Sequence, residues 1–276
     1  MFDTRRSSRL VLTFCLAALP FGALAETYFV RVAGNDQADG RIAAAAFRTI
    51  QRAAQALNHG DSVVIGPGAY RETVLFAERF SADGAMMAIT GDESGKLTGD
   101  PAGAVVIEAV SASQPALHIY RFRNLTVSGL TVRGNGQGMK LEKVQGGTVA
   151  RCTFDGLSRG LAITNCERIG VESCVLVRCT LGITLQGAIG TRVAHCSVAG
   201  ANTAGVLVLG SGAGSIVNSL FAANNTGFIA DRISAAAWTS DHNVIHGTLG
   251  PWGDVPAIAN AHEWFAASGQ DRASVY

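Results

Sequence analysis

The sequence predicts an all-β fold, a single parallel β-helix whose coils each take about 22 residues, and three observations carry that reading. Gly138, Gly160, Gly182, Gly205, Gly227 and Gly250 recur at intervals of 22, 22, 23, 22 and 23 residues. The first five each precede a short alternating stretch: Met139-Lys140-Leu141-Glu142, Leu161-Ala162-Ile163-Thr164, Ile183-Thr184-Leu185-Gln186, Val206-Leu207-Val208-Leu209 and Phe228-Ile229-Ala230-Asp231. A second apolar cluster follows in each period, as VSGLTV from Val127, VARCTF from Val149, VESCVL from Val171, VAHCSV from Val193 and VNSLFA from Val217. A fixed period marks stacked units that bury a continuous core together, and helical solenoids repeat at ~33 residues or more.

Composition agrees. The 276 residues include 33 glycines, and only 16% are charged against a usual ~25%. With 48% apolar residues the chain has enough surface to bury, which excludes a disordered polymer. A formal charge of +1 argues against a general nucleic-acid binder, which needs an electrostatic footprint for phosphate.

The elements follow in order. Arg5, Arg6 and Arg9, the apolar run from Leu10 to Leu19 and the small residues of Ala23-Leu24-Ala25 have the layout of a signal peptide over residues 1–25. Cleavage near Ala25 predicts a secreted or periplasmic product carrying a charge of −1. No later segment reaches 18 uninterrupted apolar residues, so no membrane span is expected, and the mature protein is expected to be a monomer.

Residues 26–60 read as a strand, a loop and a capping helix. Phe47 to Leu57 places Ile50, Ala53, Ala54 and Leu57 at helical spacing, with Asn58-His59-Gly60 as the stop. The helix would cover the open sheet edge of the first coil. Residues 61–250 hold the coils, with Ser62 to Ile65 as an early strand, and residues 251–276 form a C-terminal cap or tail.

Alternation assigns faces. Leu117, Met139, Leu161, Ile183, Val206 and Phe228 form one inward column; Ile119, Leu141, Ile163, Leu185, Val208 and Ala230 form the next. Cys152, Cys174 and Cys196 share one coil position, with Leu130 before them and Leu220 near the same place after. Stacked side chains point in parallel, which suits a disulfide poorly, so these read as buried reduced thiols. Cys166 and Cys179 have no assignment from spacing alone.

Tyr28-Phe29-Val30, AGNDQADG (33–40), FRTIQRAAQAL (47–57) and GDSVVIGPGAYRETV (60–74) resemble the N-terminal module of the exported right-handed parallel β-helix proteins of the pectate-lyase-like superfamily. Ser240-Asp241-His242-Asn243 and EWFAASGQD (263–271) are similar to the tail of the same proteins. The resemblance implies a right-handed coil and a carbohydrate ligand. It leaves the activity open among polysaccharide lyases, glycoside hydrolases, uronate epimerases and non-catalytic members. Family members often continue past the GQD segment, so a short or truncated member is the expectation.

In enzymes of that superfamily the glycan lies across the outward face of one sheet. Here one outward column reads His118, Lys140, Ala162, Thr184, Leu207, Ile229, and its neighbour reads Tyr120, Glu142, Thr164, Gln186, Leu209, Asp231. The flanking position reads Arg121, Lys143, Asn165, Gly187, Gly210, Arg232. Elimination on a uronic acid needs a carboxylate neutraliser, a base for the C5 proton and an acid for the leaving oxygen. The candidate catalytic residues are Lys140 as base and His118 or Tyr120 as acid. Arg121 and Lys143 are candidate neutralisers, and Glu142 and Gln186 complete the substrate-binding set.

Hydrolysis would need a second carboxylate near Glu142, but Asp155 falls on a later strand of the same coil and Asp231 lies four coils away. No cofactor is predicted. Calcium would need several carboxylates together, which this face lacks, and the Asn35-Asp36 to Asp39-Gly40 cluster reads as turns. Asp241, His242 and His246 have metal-ligand types but fall in the tail-like segment, and Trp252 either stacks on sugar or covers the C-terminal end.

Residues 26–117 carry 7 basic and 11 acidic groups, residues 118–192 carry 10 and 4, and residues 193–276 carry 2 and 5. A basic belt of that sign attracts a polyanion. The expected partner is an acidic polysaccharide, cleaved by β-elimination. The alternative is a non-catalytic carbohydrate-binding or structural β-helix.

Overall fold

Short strands joined mostly by corners of two or three residues wind into a right-handed parallel solenoid in the computed structural model, which describes residues 25–58, 60–79, 85–258 and 261–275. The predicted leader, apart from Ala25, and His59 of the predicted helix stop lie outside the described residues.

Three stacks of parallel strands make the walls. The first sheet runs from Val74–Arg79 through the leading half of Pro115–Ser128, then Gln137–Glu142, Arg159–Thr164, Leu181–Gln186, Ala204–Leu209 and Phe228–Ala230. The second includes Thr27–Val30, Ser62–Ile65, Met87–Gly91 and Gln145–Ala150, and ends at Trp238–Asp241. Among the described residues the third has eight strands, from Gly68–Tyr70 to Val244–Gly247. The register pairs Leu117, Met139, Leu161, Ile183, Val206 and Phe228 in one column, and every member is at most 1% exposed. The column from Ile119 to Ala230 pairs in the same way.

The recurring glycine has a steric cause. A Cβ on Gly138, Gly160, Gly182 or Gly205 would lie 2.3, 2.8, 2.4 or 2.8 Å from the carbonyl oxygen of the equivalent glycine one coil on. Stacked backbones therefore exclude a side chain at this point of these four coils, whereas the coil before them carries Ala116 there.

Corners use the left-handed region. Arg121, Lys143, Asn165, Gly187 and Gly210 have φ of 60, 56, 51, 61 and 53°. Arg151, Ser173, His195, Asn218 and His242 form another such column, at 50 to 56°. The residue after each of these corners turns inward. Cys152, Cys174 and Cys196 follow Arg151, Ser173 and His195, while Cys166 follows Asn165 and Cys179 follows Arg178. All five described cysteines are thus inner-corner residues, buried and free, and burial pushes the Cys166 thiol up to about 11. Leu220 does not continue the thiol column. One extra residue puts Ser219 there, its Oγ accepting from Cys196 N at 3.1 Å, and leaves Leu220 on the outside.

Both ends are covered. Helix Ile50–Ala56 starts at Thr49, whose side chain accepts from Arg52 N, and buries Ile50, Ala53 and Ala54. At the other end Trp264, on helix Ala261–Ser268, is fully buried. Asp271 accepts from Ser240 Oγ (2.8 Å), Ser274 Oγ (2.8 Å), Asn243 Nδ2 (3.0 Å) and Trp264 Nε1 (3.2 Å). Trp252 meets Trp264 edge-on at 6.3 Å and is buried, so it covers the C-terminal end. Asp241 accepts from Ala273 N and His242 N, a structural use. An unpredicted helix, Arg232–Ala237, begins where the last coil was expected to continue. Asp231 caps it by accepting from Ser234 N, so Asp231 and Arg232 leave the outward columns.

Candidate functional site

Parallel register brings residues 22 apart to adjacent strands, ~4.8 Å apart. His118 pairs with Lys140, and Tyr120 with Glu142, on the outer face of the first sheet. Glu142 Oε2 lies 3.1 Å from His118 Nε2 and accepts from Lys140 Nζ at 2.6 Å. The three side chains are between 22 and 29% exposed, a partly desolvated cluster.

The charges follow from those contacts. The Lys140 hydrogen bond, helped by His118, holds Glu142 below the ordinary carboxylate range against the opposing effect of burial. An ionised carboxylate can only accept, so His118 carries its proton on Nε2 and its lone pair on Nδ1. Burial, then the Lys140 charge, lower the His118 pKa below its ordinary value, with Glu142 acting the other way. The imidazole is therefore neutral at neutral pH. Lys140 Nζ donates to the same carboxylate oxygen, Oε2, that faces His118.

Tyr120 stands beside them. Its ring centroid is 6.0 Å from that of His118, 5.9 Å from Arg121 Cζ and 5.5 Å from Lys143 Nζ. Arg121 and Lys143 flank the strand ends because both occupy the left-handed corner, which turns them away from the core. Six of the seven candidates thus form one cluster. Gln186 does not join it: Thr164 separates it from Glu142, which sets it two strand spacings away, about 9.6 Å.

The Asn35 to Gly40 cluster is consumed by its own loop. Asp36 accepts from Arg48 N and Thr49 N, Asn35 from Gln37 N and Asp39 from Arg41 N. Among the described residues, no three His, Cys, Asp or Glu side chains group as metal ligands.

A second concavity was missed. On the third sheet a cavity of ≈ 450 Å³ is lined by Arg71, Glu108, Arg133, Asp155 and Arg178, with Ala109, Val110, Gly134 and Gly156. Glu108, Arg133 and Asp155 pair across adjacent strands. The signal was present as alternating charge at one coil position, spaced by 25 and 22 residues, but the long early coils hid the register. The basic belt is likewise shared among faces: Arg133 and Arg178 belong to this sheet, and Arg192 to the second.

Solved structures with the same architecture act on carbohydrates. A GH136 lacto-N-biosidase from Eubacterium ramulus superposes with a TM-score of 0.56 at 12% identity, over 81% of this chain and 57% of that one. A pectin methylesterase variant in complex with a hexasaccharide gives 0.52 at 13%, over 81% and 80%. A pectate lyase gives 0.50 at 17%, over 81% and 67%. The chain spans little more than half the length of the lacto-N-biosidase. At such identities the likeness is one of fold. No curated protein matches the sequence. The family model for the right-handed β-helix region matches residues 100–249, the coils that carry the His118–Lys140–Glu142 cluster. The chain belongs to the right-handed β-helix family.

Proposed function

We propose that this is an exported protein that binds an acidic polysaccharide across the first sheet and cleaves it by β-elimination. The observation that carries the reading is the Glu142 carboxylate shared by His118 and Lys140, which sets a neutral imidazole beside Lys140, with Arg121 and Lys143 over the neighbouring Tyr120 ring. The carbohydrate-active neighbours of the same fold support a sugar ligand.

Roles change from those read off the sequence. Lys140, with its proton committed to Glu142, neutralises a uronate carboxylate together with Arg121 and Lys143, which makes the C5 hydrogen acidic. His118 Nδ1 removes that proton. The C5–H electron pair forms the C4–C5 double bond as the C4–O bond breaks, and the Tyr120 hydroxyl protonates the departing oxygen. Glu142 positions the imidazole and stabilises the imidazolium, while Gln186 contacts a sugar further along the chain. Hydrolysis uses two carboxylates, and among the described residues this cluster offers Glu142.

The test is incubation with polygalacturonate, alginate and a glycosaminoglycan while following absorbance of unsaturated uronate. His118→Ala should lose roughly 10²- to 10⁴-fold in rate, the usual contribution of a general base. Binding without product on every polymer refutes elimination and favours a non-catalytic carbohydrate-binding β-helix. That second reading draws on the apolar outer residues of the later coils, Ala162, Leu207 and Ile229.

A further inference from the structure

The third-sheet cavity is built differently from the first face. Its charged groups alternate along the solenoid axis: Arg71, Glu108, Arg133, Asp155, Arg178. Glu108 joins Arg71 (3.3 Å) and Arg133 (2.7 Å), and Asp155 joins Arg178 (2.5 Å). Taken alone, that is a ladder of surface ion pairs, worth little to stability.

Exposure gives it a direction. The carboxylates of Glu108 and Asp155 are 28 and 29% exposed, whereas Arg71, Arg133 and Arg178 are 77, 51 and 72% exposed. The acids form the floor and the guanidinium groups the rim, so an incoming molecule meets N–H donors first. Each guanidinium has five donors in a fixed fork, more than one carboxylate floor consumes. Ala109 and Val110 add an apolar wall, and the corners at Gly134 and Gly156 carry no side chains to fill the space.

Spacing adds selectivity. The register puts Arg133 one strand before Asp155, which pairs with Val177, so Arg178, the next residue, has its backbone roughly 10 Å from that of Arg133. A free anion uses one of them. An extended 1,4-linked polyuronate carries a carboxylate on every sugar, so alternate carboxylates recur at a comparable interval and engage successive cations.

We propose that this cavity is a second polysaccharide-binding site, separate from the His118 face and non-catalytic, that takes an acidic glycan along the solenoid axis through Arg71, Arg133 and Arg178. It uses no residue of the proposed catalytic cluster, so the two readings stand or fall separately.

The experiment measures binding of the full chain to polygalacturonate, alginate and heparin by calorimetry, with duplex DNA as control. Parent protein is compared with Arg133→Ala/Arg178→Ala and with His118→Ala/Lys140→Ala, and circular dichroism checks that each is folded. The arginine variant should lose roughly tenfold or more in affinity for at least one polymer while keeping any eliminative activity, and Arg133→Lys/Arg178→Lys should recover only part of it because a point charge cannot reproduce the fork. Binding should weaken with salt. Unchanged affinity in the arginine variant, no binding of any polymer by the parent, or equal binding of DNA would each overturn the proposal. If the His118/Lys140 variant loses activity but still binds, both readings survive; if it alone loses binding, this one fails.

Discussion

Replacing Gly182 with Ala tests the steric origin of the coil period. A glycine in a strand ordinarily gains stability on this change, by about 0.5–1 kcal/mol, because the unfolded chain loses freedom. Here the added Cβ would sit 2.4 Å from Gly205 O and 2.9 Å from Val198 Cγ1. Ordinary contact begins at 3.4 Å, so two stacked coils must part by about 1 Å at this step. The oxygen belongs to backbone and has no rotamer by which to escape. Two weakened ladder hydrogen bonds at ~1 kcal/mol each, with overpacking of 1–3 kcal/mol, give a loss of about 3–5 kcal/mol. That corresponds to a fall in Tm of roughly 6–20 °C for a domain of this size. Gly170→Ala is the control, since its Cβ would meet nothing nearer than 3.4 Å and its φ is ordinary. Thermal and urea unfolding of both proteins decide the matter. If Gly182→Ala is as stable as Gly170→Ala, close backbone approach does not explain the glycine column.

Three further outcomes are expected. Stability should fall in acid through two groups with the same sign: His118, depressed below 6.5, contributes above that value and loses its contribution as pH falls through it, and Glu142, depressed below 4.5, does so at lower pH. In an NMR titration, Lys140→Ala should raise the His118 pKa and Glu142→Gln should lower it further; the opposite order would show that Glu142 is not its partner. Asp271→Ala should cost about 3–5 kcal/mol in urea unfolding, because it removes a buried carboxylate that accepts from four donors at the C-terminal cap, three of them on buried residues. The five coil cysteines should react with a thiol reagent only as fast as the chain unfolds, whereas rapid labelling of the folded protein would place them at the surface.

The regular coils were legible because period and alternation both act locally. Every pairing from Leu117 to Phe228 follows from a 22- or 23-residue step. The cluster of His118, Lys140 and Glu142 was legible for the same reason, since outward neighbours one period apart must touch. What spacing cannot supply is which proton each group holds. That depends on a shared carboxylate oxygen, and it is the reason we propose His118 as the base. Spacing also fails where coils differ in length. Val74 pairs with Leu117 across 43 residues, so Arg71 and Glu108 could not be aligned with Arg133 before the fold was known. Helix Arg232–Ala237 breaks the pattern where Asp231 finds a capping role that alternation does not encode.

Charge balance counted along the chain concealed how charge is arranged around the coil. The segment 118–192 holds ten basic groups against four acidic ones, yet a β-helix distributes consecutive residues over three faces, so the excess divides into separate fields. On the first sheet one carboxylate answers Lys140, and Arg121 and Lys143 stand over Tyr120, which concentrates positive charge at a point where a reaction could use it. On the third sheet carboxylates and arginines alternate, which spreads positive charge along a line. A point favours one sugar unit held for chemistry; a line favours a polymer held in place. Salt separates the two, because exposed guanidinium groups are screened more strongly than a cluster less than a third exposed. Raising ionic strength should therefore release polymer from the third sheet before it changes turnover on short oligosaccharides, and the reverse order would mean that a single face does both.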